Sequence, residues 1–454
     1  MTPFASSLLP PLHRRLAAPL TALAALAATG VFHPAQAQSL RELVEAARGY
    51  DAGYQAARSS LDASRFRVQQ AEAGRMPSAS LDGNATYTNT DPPAVSVRNL
   101  VNLGASVSGR YPIYNRSTGA IIEQANRALD VAQADLAVSE QDLIVRVSQA
   151  YFDVLGAQDT FTTAQANKKA IAEQLASAKR NFEVGTATIT DTREAQARFD
   201  LATAQEISAD NDLRSKRIVL DQLVGQTGVV PRGLVLPVTL PNLAPETPDA
   251  WVLRSEEAPS VRRARLAVEV ARLESDKARA SNSPTLDAVG SVGLSDSRGS
   301  AVKATNAAEG TTRNASIGLK FSMPLYTGGL NENRLKETLA LEEKARNDLN
   351  VARRAVAQQT RQVWFGVQSG QAGVKALEAA ESSSKLALEA TQLGYKVGVR
   401  VNLDVLNAQT QLYSTQRDLA KARYDVVVNG LRLRQASGTL TLDDVAEVNK
   451  MLVR

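Results

Sequence analysis

Two hydrophobic periods divide this chain. Four short segments alternate apolar with polar residues, and the long stretches between them repeat apolar residues every three or four positions. In the first segment Ala79, Leu81, Ala85 and Tyr87 fall on one side and Ser80, Asp82, Asn84 and Thr86 on the other. In the second, Val101, Leu103, Ala105, Val107 and Tyr111 oppose Asn102, Ser106, Ser108 and Arg110, up to Pro112. The third follows Pro284 and sets Leu286, Ala288, Val292 and Leu294 against Thr285, Asp287 and Ser291. The fourth sets Ala315, Ile317, Leu319, Phe321 and Met323 against Asn314, Ser316, Lys320 and Ser322, and ends at Pro324. Period two predicts strands with one apolar and one polar face. Each spans about nine to eleven residues, the length that crosses a bilayer when tilted. A soluble two-layer sheet would fit the same period, but it needs an apolar partner. The flanking stretches are rich in Ala, Gln and charge and supply none.

The helical stretches carry thin apolar seams. Leu143, Val147, Ala150, Val154 and Ala157 step by four and three residues, as do Leu412, Thr415, Leu419, Ala422, Val426 and Leu433. That spacing is coiled-coil-like. A first helix is expected over 40–75, stopped by Met76-Pro77. A helix from Arg116 to about Asn181 runs on the order of 100 Å at about 1.5 Å per residue. Rods of that length with narrow seams suit helices packed side by side in a tube, wet on at least one surface.

The pattern occurs twice. Phe182-Glu183-Val184-Gly185-Thr186 is answered by Tyr395-Lys396-Val397-Gly398-Val399 at an offset of 213 residues (398 − 185), and Gly225 by Gly438 at the same offset. Gln149 to Val154 is matched by Gln362 to Val367. Tandem duplication of one unit follows. The expected organisation is a leader over 1–37, a first repeat over 38–228, a Pro-rich connector over 229–259 and a second repeat over 260–438. A short tail over 439–454 completes it. The connector holds Pro231, Pro237, Pro241, Pro245, Pro248 and Pro259, too many for regular helix; a short helix is expected near Asp249–Arg254.

Composition narrows the chemistry. His13-Arg14-Arg15, an Ala/Leu-rich run to Phe32 and Ala35-Gln36-Ala37 have the form of a secretory signal peptide. The chain has no cysteine, and its two histidines, His13 and His33, both lie in that leader. Disulfides and most zinc, haem and Cys/His catalysis are thereby removed from the mature chain. No cofactor or metal site is expected, and no pair of acids sits in a Gly-rich or aromatic setting suited to hydrolysis. The formal net charge of +5, two of it in the leader, is spread along helices and does not point to nucleic acid.

Leader, strand pairs, long helices and duplication together resemble the TolC family of bacterial outer-membrane channels. The resemblance is most specific at Gly394-Tyr395-Lys396-Val397-Gly398-Val399-Arg400-Val401-Asn402-Leu403-Asp404-Val405-Leu406, similar to the family's periplasmic-tip segment. Tyr111-Pro112-Ile113-Tyr114 and Met323-Pro324-Leu325-Tyr326 are similar to its strand-to-helix junctions. The fold so implied is an α+β membrane protein. Each chain gives four strands to an oligomeric transmembrane β-barrel, and its very long coiled-coil helices form a periplasmic α-barrel. Four strands cannot close a barrel and lipid does not tolerate open edges, so copies must combine. A dimer satisfies that argument; the resemblance implies a homotrimer. It also implies an exit duct in the outer membrane, used for efflux or type I secretion with an inner-membrane transporter and a periplasmic adaptor. A soluble periplasmic coiled-coil adaptor is the alternative.

The resemblance also nominates site residues. Val184, Gly185 and Thr186, with Val397, Gly398 and Val399, are expected at the tips where an adaptor docks. Asp404 is expected to point into the lumen, where symmetry makes a carboxylate ring; such rings favour cations. The family often places a second acid three residues on, where this chain has Asn407. Arg400 and Tyr395 are expected to tie the inner helix pair to its neighbours, with Asp191, the counterpart of Asp404 in the first repeat, as acidic partner.

Overall fold

The computed structural model describes residues 38–91, 98–235, 244, 246–300 and 310–453. The expected leader and part of the connector, including Pro237, Pro241 and Pro245, lie outside them. In chain order the elements are α1 (Leu40–Tyr50), α2 (Ala52–Ala73), β1 (Ser78–Thr90), β2 (Arg98–Asn115), α3 (Arg116–Glu183) and α4 (Ile189–Val224). Then come α5 (Pro248–Ser255), α6 (Pro259–Ala280), β3 (Thr285–Arg298), β4 (Gly310–Ser322), α7 (Leu330–Lys396), α8 (Asn402–Ala436) and α9 (Leu442–Asn449).

The strands form one antiparallel sheet in the order β1-β2-β3-β4. Its register keeps the two faces apart. Ser80, Ser108, Ser291 and Ser316 lie in one cross-strand row, with hydroxyl contacts of 2.8 Å between Ser80 and Ser108 and 2.9 Å between Ser291 and Ser316. The adjacent row is Leu81, Val107, Val292 and Ala315, on the opposite face because side chains alternate. On that apolar face Leu81, Ile317 and Leu319 are 76%, 94% and 69% exposed. Each such side chain forgoes about 1.5–3 kcal/mol in water, a loss that lipid removes. Among the described residues no helix is long and apolar enough to cross a membrane.

The strands have 13, 18, 14 and 13 residues, longer than the expected nine to eleven, because pairing continues beyond the apolar stretch. β2 also runs past Pro112, where the sequence suggests an end. The register to β3 shifts between Pro112 and Tyr114, so the proline, which has no N–H to donate, sits at a bulge. Asn115 then caps α3, its side-chain oxygen accepting from the Ser117 amide at 3.0 Å.

α3 and α7 have 68 and 67 residues and return as α4 and α8, of 36 and 35. The expected seam is buried: Leu143 and Val147 at 0%, Val154 at 2%. The single helix expected over 40–75 is instead two. Asp51 breaks it and caps α2, accepting from the Tyr54 amide at 2.8 Å. Arg146 of α3 holds the same carboxylate at 3.1 and 3.2 Å. Its hydrogen bonds lower the Asp51 pKa against the opposing effect of burial.

The main core lies at mid-height. Leu40, Val44, Tyr151, Phe152 and Leu431 share one apolar cluster with Val445 and Leu452 of the tail. The connector is laced to it: the Tyr151 hydroxyl accepts from the Arg232 amide at 2.8 Å, and Val235 N–H donates to Met451 at 2.8 Å. Here the two repeats are also clamped together. Tyr424 of α8 donates to Asp159 of α3 at 2.6 Å, and its ring lies 5.7 Å from that of Phe152. Burial holds the Asp159 carboxyl above its usual range, although the Tyr424 bond pulls it down.

Candidate functional site

Each long hairpin ends in the same turn. Gly185 and Gly398 have φ of 78° and 79°, left-handed values that cost a side chain about 1–2 kcal/mol. In the first tip Val184 N–H donates to Arg180 and Thr186 N–H to Asn181, at 3.1 and 2.8 Å; in the second Val397 donates to Leu393 and Val399 to Gly394, at 3.1 and 2.9 Å. These bonds satisfy carbonyls left open at a helix end. The turns leave apolar side chains in water: Val184, Val397 and Val399 are 73%, 66% and 74% exposed.

The tips differ in how the returning helix starts. Thr188 caps α4 in a complete capping box, in which its hydroxyl accepts from the Asp191 amide and the Asp191 carboxylate from the Thr188 amide at 2.9 Å. At the equivalent position α8 has Val401, with no side-chain cap. Asp404 is therefore released from the role that holds Asp191. It pairs with Arg400 at 3.6 Å, with the Asp404 side chain 37% and the Arg400 side chain 62% exposed. An ion pair so exposed contributes about 0–1 kcal/mol.

Of the residues singled out in the sequence, the structure brings Arg400 and Asp404 together. It does not pair Arg400 with Asp191 within the chain among the described residues. Tyr395 accepts from Asn181 of the first hairpin at 3.2 Å, and Asn407 accepts from Arg198 of α4 at 3.1 Å. Asn181 and Arg198 thus join the two hairpins near their tips, and no local pattern points to either. Only the offset between the repeats hints at Asn181, since it lies one residue before the first-repeat counterpart of Tyr395. Among the described residues no group of three or more His, Cys, Asp or Glu could hold a metal ion. The arrangement presents exposed valines beside an exposed Arg400–Asp404 pair, a surface that apolar contact and charge can both engage.

The outer membrane efflux protein family matches residues 43–226 and 253–439, one stretch per repeat. Outer membrane protein TolC of Vibrio cholerae is 31% identical over 414 residues, covering 91% of this chain and 93% of that protein. The alkaline protease secretion protein AprF of Pseudomonas aeruginosa is 36% identical over 310 residues, covering 67% and 63%. The crystal structure of the outer membrane protein VceC of Vibrio cholerae superposes with a TM-score of 0.73 at 20% identity, over 88% of this chain and 96% of that one.

Proposed function

This chain belongs to the outer membrane efflux protein family, and from that premise we propose how the duct it forms is assembled, closed and docked. The protein is an exit duct in the outer membrane for exported proteins or small molecules. Its family and relatives are channels, which displaces the soluble adaptor as an alternative.

In the proposed assembly three copies pool their sheets into a barrel of twelve strands, and their hairpins continue it as a helical tube across the periplasm. The tube closes at the tips. Asp404 of each copy faces the lumen and forms a ring of carboxylates. Asn407 stands where a second acid would double that charge, so cation block is weaker than two acids per chain would give. Arg400 and Tyr395, with Asp191 as acidic partner, tie the inner helix pair to its neighbours. A latch of exposed pairs worth about 0–1 kcal/mol each holds several-fold yet still opens. The periplasmic adaptor docks on the exposed valines at 184, 397 and 399 and links the duct to an inner-membrane transporter. The observation that carries this reading is the pair of matching tips, each closed by a left-handed glycine and each presenting unburied valines.

The test is Arg400→Glu in planar lipid bilayers. Reversing the charge beside Asp404 raises resting conductance if Arg400 belongs to the latch; unchanged leakage removes it. The resemblance to AprF, a protease secretion protein by name, favours protein as cargo. Deleting the gene and assaying both the secreted proteome and drug susceptibility separates that cargo from small molecules.

A further inference from the structure

The joint between the two hairpins changes character along its length. At mid-height α8 gives Tyr424, Val427, Val428 and Leu431 to the main apolar cluster. Near the tip Leu406 packs with Ile171, Leu175, Ala178, Ala195 and Ala202 of the first hairpin. Residues three and four positions away share that face of the helix; here they are Gln409 and Asn402. Both are 4% exposed. Neither the oxygen nor the nitrogen of the Asn402 amide has a hydrogen-bond partner in the protein, and the Gln409 carbonyl oxygen has none. Asn167 of α3, 7% exposed, also leaves its carbonyl oxygen unpaired.

A buried amide without partners destabilises the state that buries it. Among the described residues the first tip has no such group. The counterpart of Asn402 (402 − 213) is Ile189, which is 47% exposed. The usual preference is inverted twice: the apolar residue meets water and the polar one is enclosed. Leu406 and the Arg198–Asn407 bond hold the joint closed, while Asn402 opposes them.

We propose that Asn402 biases the second tip toward release from the first hairpin, because its amide gains partners only when the start of α8 leaves α3 and α4. The proposal rests on the reading of the tips as the gate, but it concerns the equilibrium of the joint and can be measured without conduction. A population responds to whatever destabilises one of its states relative to the other.

The experiment uses the full assembled protein carrying Asn402→Leu, which keeps nearly the same shape without polar atoms. Asn402→Ile, the side chain found in the first tip, carries the test if the first variant does not assemble. Amide hydrogen exchange is followed over residues 403–412, and resting conductance in planar bilayers is recorded in parallel. Protection is expected to rise about tenfold, the factor that an unpaired buried amide implies. Unchanged or reduced protection overturns the proposal, since the amide would then be holding the joint, through a bound water or otherwise. Raised protection with lower conductance supports both the bias and the gate. Raised protection with unchanged conductance supports the bias at Asn402 and removes the gate from the tips.

Discussion

Restoring the missing cap on α8 gives the sharpest test of how the two tips differ. The perturbation is Val401→Thr. Val401 has φ −96° and ψ 161°, and Thr188 has φ −91° and ψ 160°, so the backbone already has the capping conformation. Asp404 stands three residues on, as Asp191 does from Thr188. The new hydroxyl can accept from the Asp404 amide, which now donates to the Val401 carbonyl at 3.1 Å. The carboxylate can turn back to the amide of residue 401. Such a cap contributes about 1 kcal/mol, within a range of roughly 0.5–2. The Arg400–Asp404 pair it displaces is longer than a good hydrogen bond at 3.6 Å and contributes about 0–1 kcal/mol. On central values the cap wins by about 0.5 kcal/mol, roughly twofold in the local equilibrium. Two assays read it. Exchange of the amides at 403–405 slows about twofold, and block of the channel by divalent cations weakens as the Asp404 carboxylates withdraw to the backbone. Thr188→Val at the first tip should do the opposite, freeing Asp191 and speeding exchange at 190–192. If both variants leave exchange unchanged, the capping asymmetry has no energetic weight and Asp404 is not released by Val401.

Three further substitutions probe the Asp51 break and two of the left-handed glycines. Asp51→Asn keeps an acceptable cap for α2 but loses the charged bond to Arg146. With Arg146 41% exposed, screening leaves about 1 kcal/mol of loss at neutral pH. The Asp51 pKa is lowered in the folded state, so its contribution is present above the unfolded value near 4 and is lost as pH falls through the folded value. Thermal unfolding should separate the two proteins at pH 7 and bring them together in acid; a gap that persists in acid contradicts the assignment. Gly398→Ala should cost about 1–2 kcal/mol, from φ alone, because nothing lies within 4 Å of the added carbon. Gly438→Ala has the same φ problem and places that carbon 2.4 Å from Ala258 Cα, adding about 1–3 kcal/mol of overpacking. Equal shifts in unfolding temperature would show that the closeness of Ala258 is immaterial.

The parts that were legible in the sequence have one-sided burial. The row from Leu81 to Ala315 and the seam through Leu143 and Val147 declare themselves because one face is apolar and the period fixes the element. The break at Asp51 was hidden because Leu43, Ala47 and Leu61 keep an apolar rhythm across it, and an aspartate caps without disturbing that rhythm. Pro112 misled for a related reason: a proline ends a strand only where its amide is needed, and a bulge removes the need. At the tips, the glycines and the Thr188–Asp191 spacing are local and readable. The Asn181–Tyr395 and Arg198–Asn407 contacts join residues remote in sequence, so no window contains both partners. Asn402 shows the limit most clearly. A polar residue at a helix start reads as solvated, and only the packing of Leu406 beside it reveals that it is enclosed.

The order β1-β2-β3-β4 has a consequence for supply. Because β2 zips to β3, one protomer fuses both of its ribbons and keeps β1 and β4 as bare rims. Those rims find hydrogen bonds only on sister chains. At low expression the yield of finished ducts then follows a power of the protomer level equal to the number of copies that seal the ring. Halving synthesis would remove far more than half of the cell's export capacity, and a defective chain incorporated beside sound ones would spoil their ring too.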